Sequence, residues 1–186
     1  MSSLTSSQIM SPYKRGTLMS MRWLRRLVYG RGNGVHSPIA FALIHSLVRP
    51  YSRYYDYDLI ESYAAPEAML WYRILARLRP AEVSYRLMDP RQREQLELMQ
   101  TLAVSRLHPT GYRLLATDQV REAKDFLKKK GRALVLLTEV RKDQGSEREF
   151  IDYLMNEKHG GVVLDLYDCA IMLNNNRELY YYRTTL

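Results

Sequence analysis

Between residues 67 and 167 the chain alternates helix-like and strand-like periodicity, and this constrains its fold more than any other feature. Strand character begins near Val83, Tyr112, Ala133 and Val162, and the segments between carry the apolar spacing of helices. Ala133–Thr138 is a nearly continuous apolar run, the pattern of a strand covered on both faces. Repeated strand–helix–strand units pair in parallel through right-handed crossovers, with helices on both sides of the sheet. Ala170–Leu173 and Glu178–Thr184 then flank Asn174-Asn175-Asn176, a turn signal that predicts a closing antiparallel hairpin. The expected fold class is α/β: a doubly wound, mostly parallel sheet ending in an antiparallel hairpin, preceded by a helical arm.

The helices can be placed by their apolar faces and caps. Glu67–Leu78 should bury Ala68, Leu70, Trp71, Ile74, Leu75 and Leu78. Asp89-Pro90 starts a helix over Arg91–Leu107, and a further helix runs from Asp118 to Lys130. Ser146-x-x-Glu149 matches a capping box and opens a helix to Lys158.

Charge divides the chain in two. The net charge is +8. Before the first carboxylate, Asp56, stand Lys14, Arg15, Arg22, Arg25, Arg26, Arg31, Arg49 and Arg53, so the entire excess lies there and the remainder is formally neutral. The expected organisation is a basic helical arm over 1–63 and an α/β domain over 64–186. Within the arm, Thr17–Tyr29 reads as an amphipathic helix with Met21, Leu24, Leu27 and Val28 on one side. Arg22, Arg25 and Arg26 lie opposite, where they could meet nucleic acid or an anionic membrane. The simpler reading packs this helix on the body or on a second subunit. Gly30–Gly34 stops it, and His36-Ser37-Pro38 opens a helix reaching about Val48. Tyr51, Tyr54, Tyr55 and Tyr57 could stack on bases but more simply pack the arm onto the sheet.

Several function classes are set aside. Cys169 is the sole cysteine, which excludes an internal disulfide framework and a thiolate-rich metal site, and suggests a reducing, cytoplasmic setting. The four histidines have no metal-ligand spacing, so no metal is expected. The apolar run Ile39–Ile44 is too short to span a bilayer. Arginines interrupt any secretory core in Thr17–Tyr29, although the Ser-rich, acid-free start shares its composition with transit peptides. Gly30–Gly34 follows a helix and lacks a Lys-Ser/Thr pair, so it fails the context of a phosphate loop.

The stretch Gly30-Arg31-Gly32-Asn33-Gly34-Val35-His36-Ser37-Pro38-Ile39-Ala40-Phe41 resembles the GxGxHSPF segment that precedes the catalytic domain of a group of bacterial class I methyltransferase-like proteins. Gly161-Val162-Val163-Leu164-Asp165-Leu166-Tyr167-Asp168 through Tyr182-Arg183 is similar to that group's closing strands. The resemblance implies a Rossmann-like sheet that binds S-adenosylmethionine. Such binding calls for a glycine-rich turn after the first strand and a carboxylate after the second. Here the sequence departs from the pattern: no glycine lies between Gly34 and Gly111, and four helix-alternating strands stand where the family has five. The implied protein is a degenerate member with a non-catalytic binding role, partnered by protein or by its own copies. The alternative is an active methyltransferase with a rebuilt cofactor loop.

If a cofactor binds, the strand-edge rule selects Asp89 and Glu139, with Asp118 as a further candidate. Asp89 and Asp118 are equally placed to cap the helices that follow them, which is the simpler role for both. No catalytic residue is assigned.

Overall fold

The computed structural model describes residues 38–48, 65–103, 109–156, 160–174 and 179–184. The arm helix over 17–29, with Arg22, Arg25 and Arg26, the Gly30–Gly34 stop and the tyrosines over 51–57 lie outside these residues.

The first described element, α1 (Pro38–Leu43), starts on proline as the sequence predicts and widens into a π-helical turn, Ile44–Val48. Ser46 Oγ donates to the Ala42 carbonyl at 2.6 Å. Such back-bonding competes with the regular helical ladder and bends helices. Helix α2 (Pro66–Leu78) buries Ala68, Leu70, Trp71, Ile74 and Leu75, five of the six residues expected, while Leu78 is only partly buried against the same core. Arg79 ends it in the left-handed region at φ 47°, and the next residue, Pro80, carries no amide hydrogen to continue it.

From there the order is β1 (Pro80–Arg86), α3 (Pro90–Ala103), β2 (Thr110–Thr117), α4 (Val120–Lys128), β3 (Arg132–Leu137), α5 (Gln144–Asn156), β4 (Gly161–Asp165), β5 (Ala170–Asn174) and β6 (Leu179–Arg183). They build one six-stranded sheet in the order β1-β2-β3-β5-β4-β6. β1, β2 and β3 are parallel neighbours, β5 runs antiparallel to both β3 and β4, and β6 is parallel to β4. The sheet is thus mixed and mostly parallel.

The expected hairpin is misplaced by one strand. β5 and β6 do not pair; they flank β4, and the antiparallel hairpin is β4–β5, closed by Leu166–Cys169. Asn174 belongs to β5. Its side-chain oxygen accepts from the Ala133 amide at 2.8 Å, and its nitrogen donates to the Leu127 and Gly131 carbonyls at 3.0 Å. A residue expected to turn the chain instead fastens β5 to the α4–β3 loop.

Both sheet faces are covered. Leu114, Leu134, Leu136, Leu164 and Ile171 face α1, the π-turn, α2 and α3. Leu115, Val135, Leu137, Val163 and Met172 face α4 and α5. Ala133 to Leu137 are therefore buried without a break, as a strand with helices on both sides must be. Trp71, fully buried on α2, donates its indole N–H to the Tyr85 hydroxyl at 3.2 Å, and Tyr85 donates to Gln100 Oε1 at 2.7 Å. That chain of bonds ties α2, β1 and α3 together.

Helix α5 begins earlier than the capping box predicts. Asp143 is the capping side chain, accepting from the Ser146 amide at 2.8 Å and the Ser146 hydroxyl at 3.2 Å. Ser146 lies inside the helix. The short side chain of Asp143 reaches back over the first turn, where free amides and the helix dipole favour a carboxylate.

Candidate functional site

In an open α/β sheet the place to look is the carboxyl edge of the parallel strands. Asp89, Asp118 and Glu139 follow β1, β2 and β3, three neighbours in the sheet, so all three stand along that edge. They do not converge into a metal-binding group among the described residues.

Each has a local employment. Asp89 Oδ1 accepts from the Arg91 amide at 2.9 Å, and its carbonyl accepts from Arg93 at 3.1 Å, so Asp89 caps α3. Asp118 does not cap α4: its Oδ2 accepts from the Met88 amide at 3.2 Å, bracing the loop after β1. Its Oδ1 is buried without a hydrogen-bond partner among the described residues. Glu139 adopts φ 54°, and its Oε2 accepts from Lys142 Nζ at 2.7 Å. The Lys142 ammonium is held above its ordinary pKa by Glu139 first, with Asp118 adding to the attraction.

Threonines knit the same edge. The Thr138 amide donates to the Thr117 carbonyl at 2.8 Å, joining the ends of β2 and β3. Thr117 Oγ1 donates to Glu122 Oε2 at 3.0 Å and accepts from the Gln119 amide at 3.2 Å, which makes Thr117 the residue that turns the chain into α4. Both threonines are fully buried.

One cluster at this edge was not singled out by the sequence. Asp165, the last residue of β4, is fully buried and accepts five hydrogen bonds. Arg141 grips it with two nitrogens at 2.9 and 2.7 Å, Tyr181 donates its hydroxyl at 2.6 Å, Arg183 Nε lies at 3.0 Å and the Tyr167 amide at 2.9 Å. Arg141 also bonds Glu147 at 3.0 Å and the Tyr167 carbonyl, with its guanidinium 5.0 Å from the Tyr167 ring centre. Burial opposes the charge on Asp165, but hydrogen bonds from Arg141 and Tyr181 overcome it and hold the carboxyl below its usual pKa. The Tyr181 phenol is pushed up to about 12 by burial and by the carboxylate it bonds. The cluster locks the β3–α5 loop to β4 and β6. The one sequence signal for it was a charged residue inside an apolar strand, which needs a partner when buried.

Cys169 is buried beneath the β4–β5 turn, as a small apolar residue would be, and burial pushes its thiol well above the ordinary value. No described helix is long and apolar enough to cross a membrane. No family model, curated protein or solved structure matches the chain.

S-adenosylmethionine needs backbone that its phosphate-free, ribose-bearing body can approach, together with a carboxylate free to bond the ribose. The loop after β1 reads Leu87-Met88-Asp89-Pro90, with side chains at every position and Asp89 turned onto α3.

Proposed function

We propose that this chain is a degenerate class I methyltransferase-like protein whose role is binding rather than methyl transfer. The carrying observation is the employment of the strand-edge carboxylates: Asp89 caps a helix and Glu139 holds a lysine, with no glycine beside them. The mostly parallel sheet with its late antiparallel pair supports the family side of the reading. Its expected partner is another protein or a second copy of the chain in the cytoplasm. Exposed Ile151 and Met155, one turn apart on α5, and Leu98 and Leu102 on α3 are apolar surface suited to such contacts. Titration calorimetry with S-adenosylmethionine and S-adenosylhomocysteine tests the reading. No heat of binding is expected up to millimolar ligand, and a micromolar constant for either would overturn it.

One observation favours an active enzyme with a rebuilt loop: the unpartnered Asp118 Oδ1, which a ligand hydroxyl would satisfy. In that case Asp118→Asn, Asp89→Asn or Glu139→Gln abolishes cofactor binding. The basic arm supplies a further reading, docking of Arg22, Arg25 and Arg26 to nucleic acid or anionic membrane, which would weaken steeply with added salt.

A further inference from the structure

The parallel strands β1, β2 and β3 begin at the edge of the sheet opposite the candidate carboxylates, with Pro80 level with Thr110 and Tyr112 level with Arg132. Helices α2 and α4 end at this same edge, at Leu78 and Lys128. Arg77 and Arg79 stand at the first end and Lys128, Lys129, Lys130 and Arg132 at the second, all six exposed. Glu82 and Asp125 are the carboxylates nearest in sequence, and none of the six cations forms an ion pair among the described residues. A helix C-terminus favours a nearby cation, but here its free carbonyls are already engaged by other groups. The Leu78 carbonyl accepts from Thr110 Oγ1 and the Arg79 carbonyl from the Thr110 amide at 2.7 Å. Arg113 donates to the Lys129 and Lys130 carbonyls at 3.2 and 3.1 Å, and Asn174 to those of Leu127 and Gly131. The loop carrying the lysines is thus held in shape from within, and none of its lysine side chains is spent on closing the helix.

We propose that this amino edge of the sheet binds the phosphate backbone of nucleic acid. The two groups of cations sit at the ends of helices on opposite faces of the sheet, across strands about 10 Å apart. Charges spread in this way match phosphates that repeat along a polymer better than they match a single ion. Arginine presents paired donors that fit phosphate oxygens, and the Arg132 guanidinium lies 5.7 Å from the Tyr112 ring centre, a contact that orients it. A lipid surface is less well matched, because such surfaces insert apolar side chains beside their charge. The exposed large apolar side chains all fall outside residues 77–80, 109–112 and 128–132. This surface goes beyond the binding role proposed above and holds whether or not the opposite edge takes S-adenosylmethionine.

The test is fluorescence anisotropy of a labelled DNA duplex of mixed sequence, titrated with the full chain over a range of salt concentrations. Lys129→Gln combined with Lys130→Gln changes two exposed side chains and leaves the Arg113 bonds to their backbone in place. Each lost phosphate contact lowers the slope of log affinity against log salt by about 0.9, so this variant should lose about 1.8 and bind about tenfold or more weakly at about 0.1 M salt. Arg91→Gln combined with Arg148→Gln removes as much charge from exposed positions on α3 and α5, away from this edge, and should keep the parent slope. An unchanged slope in the lysine variant would overturn the proposal by placing the contacts elsewhere, as on Arg22, Arg25 and Arg26. Equal losses in both variants would overturn it by showing an effect of total charge alone. Absence of duplex binding, or binding only to vesicles of anionic phospholipid, would overturn it as well.

Discussion

Burial alone would neutralise a carboxyl placed where Asp165 sits. Two guanidiniums, a phenol and a backbone amide keep it charged instead. Replacing it leaves Arg141, only 11% exposed, without its main counter-charge. Asp165→Asn should therefore cost about 3–5 kcal/mol of stability, the range for breaking a buried pair by removing one partner. Denaturant unfolding measures it, and a loss under 1 kcal/mol would show the cluster to be dispensable. The pH dependence has a fixed sign. The folded pKa of Asp165 is depressed, so its stabilisation is complete above the unfolded value near about 4. It is lost as pH falls through the lower folded value, and Asp165→Asn should flatten that acid limb. Tyr85→Phe tests the other face: losing the bonds to Trp71 and Gln100 should cost about 1 kcal/mol. The Asp165 cluster was not legible in the sequence because its arginines lie 24 and 18 residues away, and only the folded sheet brings them together.

Elements were legible where local pattern decides them and obscure where pairing does. The apolar run at Ala133–Leu137 predicted a doubly covered strand, and the fold buries it on both faces. The same periodicity could not choose a partner for the last strand, because sheet order is set by long-range pairing. Asn174 had the composition of a turn and took a bridging role. Close approach of β4 to β5 gives a direct test. A Cβ on Gly161 would lie 2.5 Å from the Leu173 carbonyl oxygen, whereas one on Gly111 meets open space. Gly161→Ala should destabilise by about 1–3 kcal/mol through forced separation of the two strands. Gly111→Ala should stay within about 0.5 kcal/mol of the parent, and equal effects would contradict the register. At the start of α5, Asp143→Ala should lower the melting temperature more than Ser146→Ala, since Asp143 is the cap.

For the whole molecule, the two edges of the sheet have opposite characters. The carboxyl edge, where α/β proteins seat ligands, carries the Asp89 cap, the bond between Thr138 and Thr117 and the Asp165 cluster. The opposite edge carries the exposed arginines and lysines at the ends of α2 and α4. The candidate carboxylates were found from sequence because their position after each strand is a local property. The contacts that Asp118 makes with the Met88 amide and Glu139 with Lys142 depend on how the loops fold, and only the capping by Asp89 was legible beforehand. The most direct measurement is an amide-resolved NMR titration with S-adenosylhomocysteine across Leu87–Asp89, Asp118 and Thr138–Glu139. If the edge is closed, those amides keep their positions up to millimolar ligand. Saturable shifts confined to them at micromolar ligand would contradict the account and restore a cofactor site.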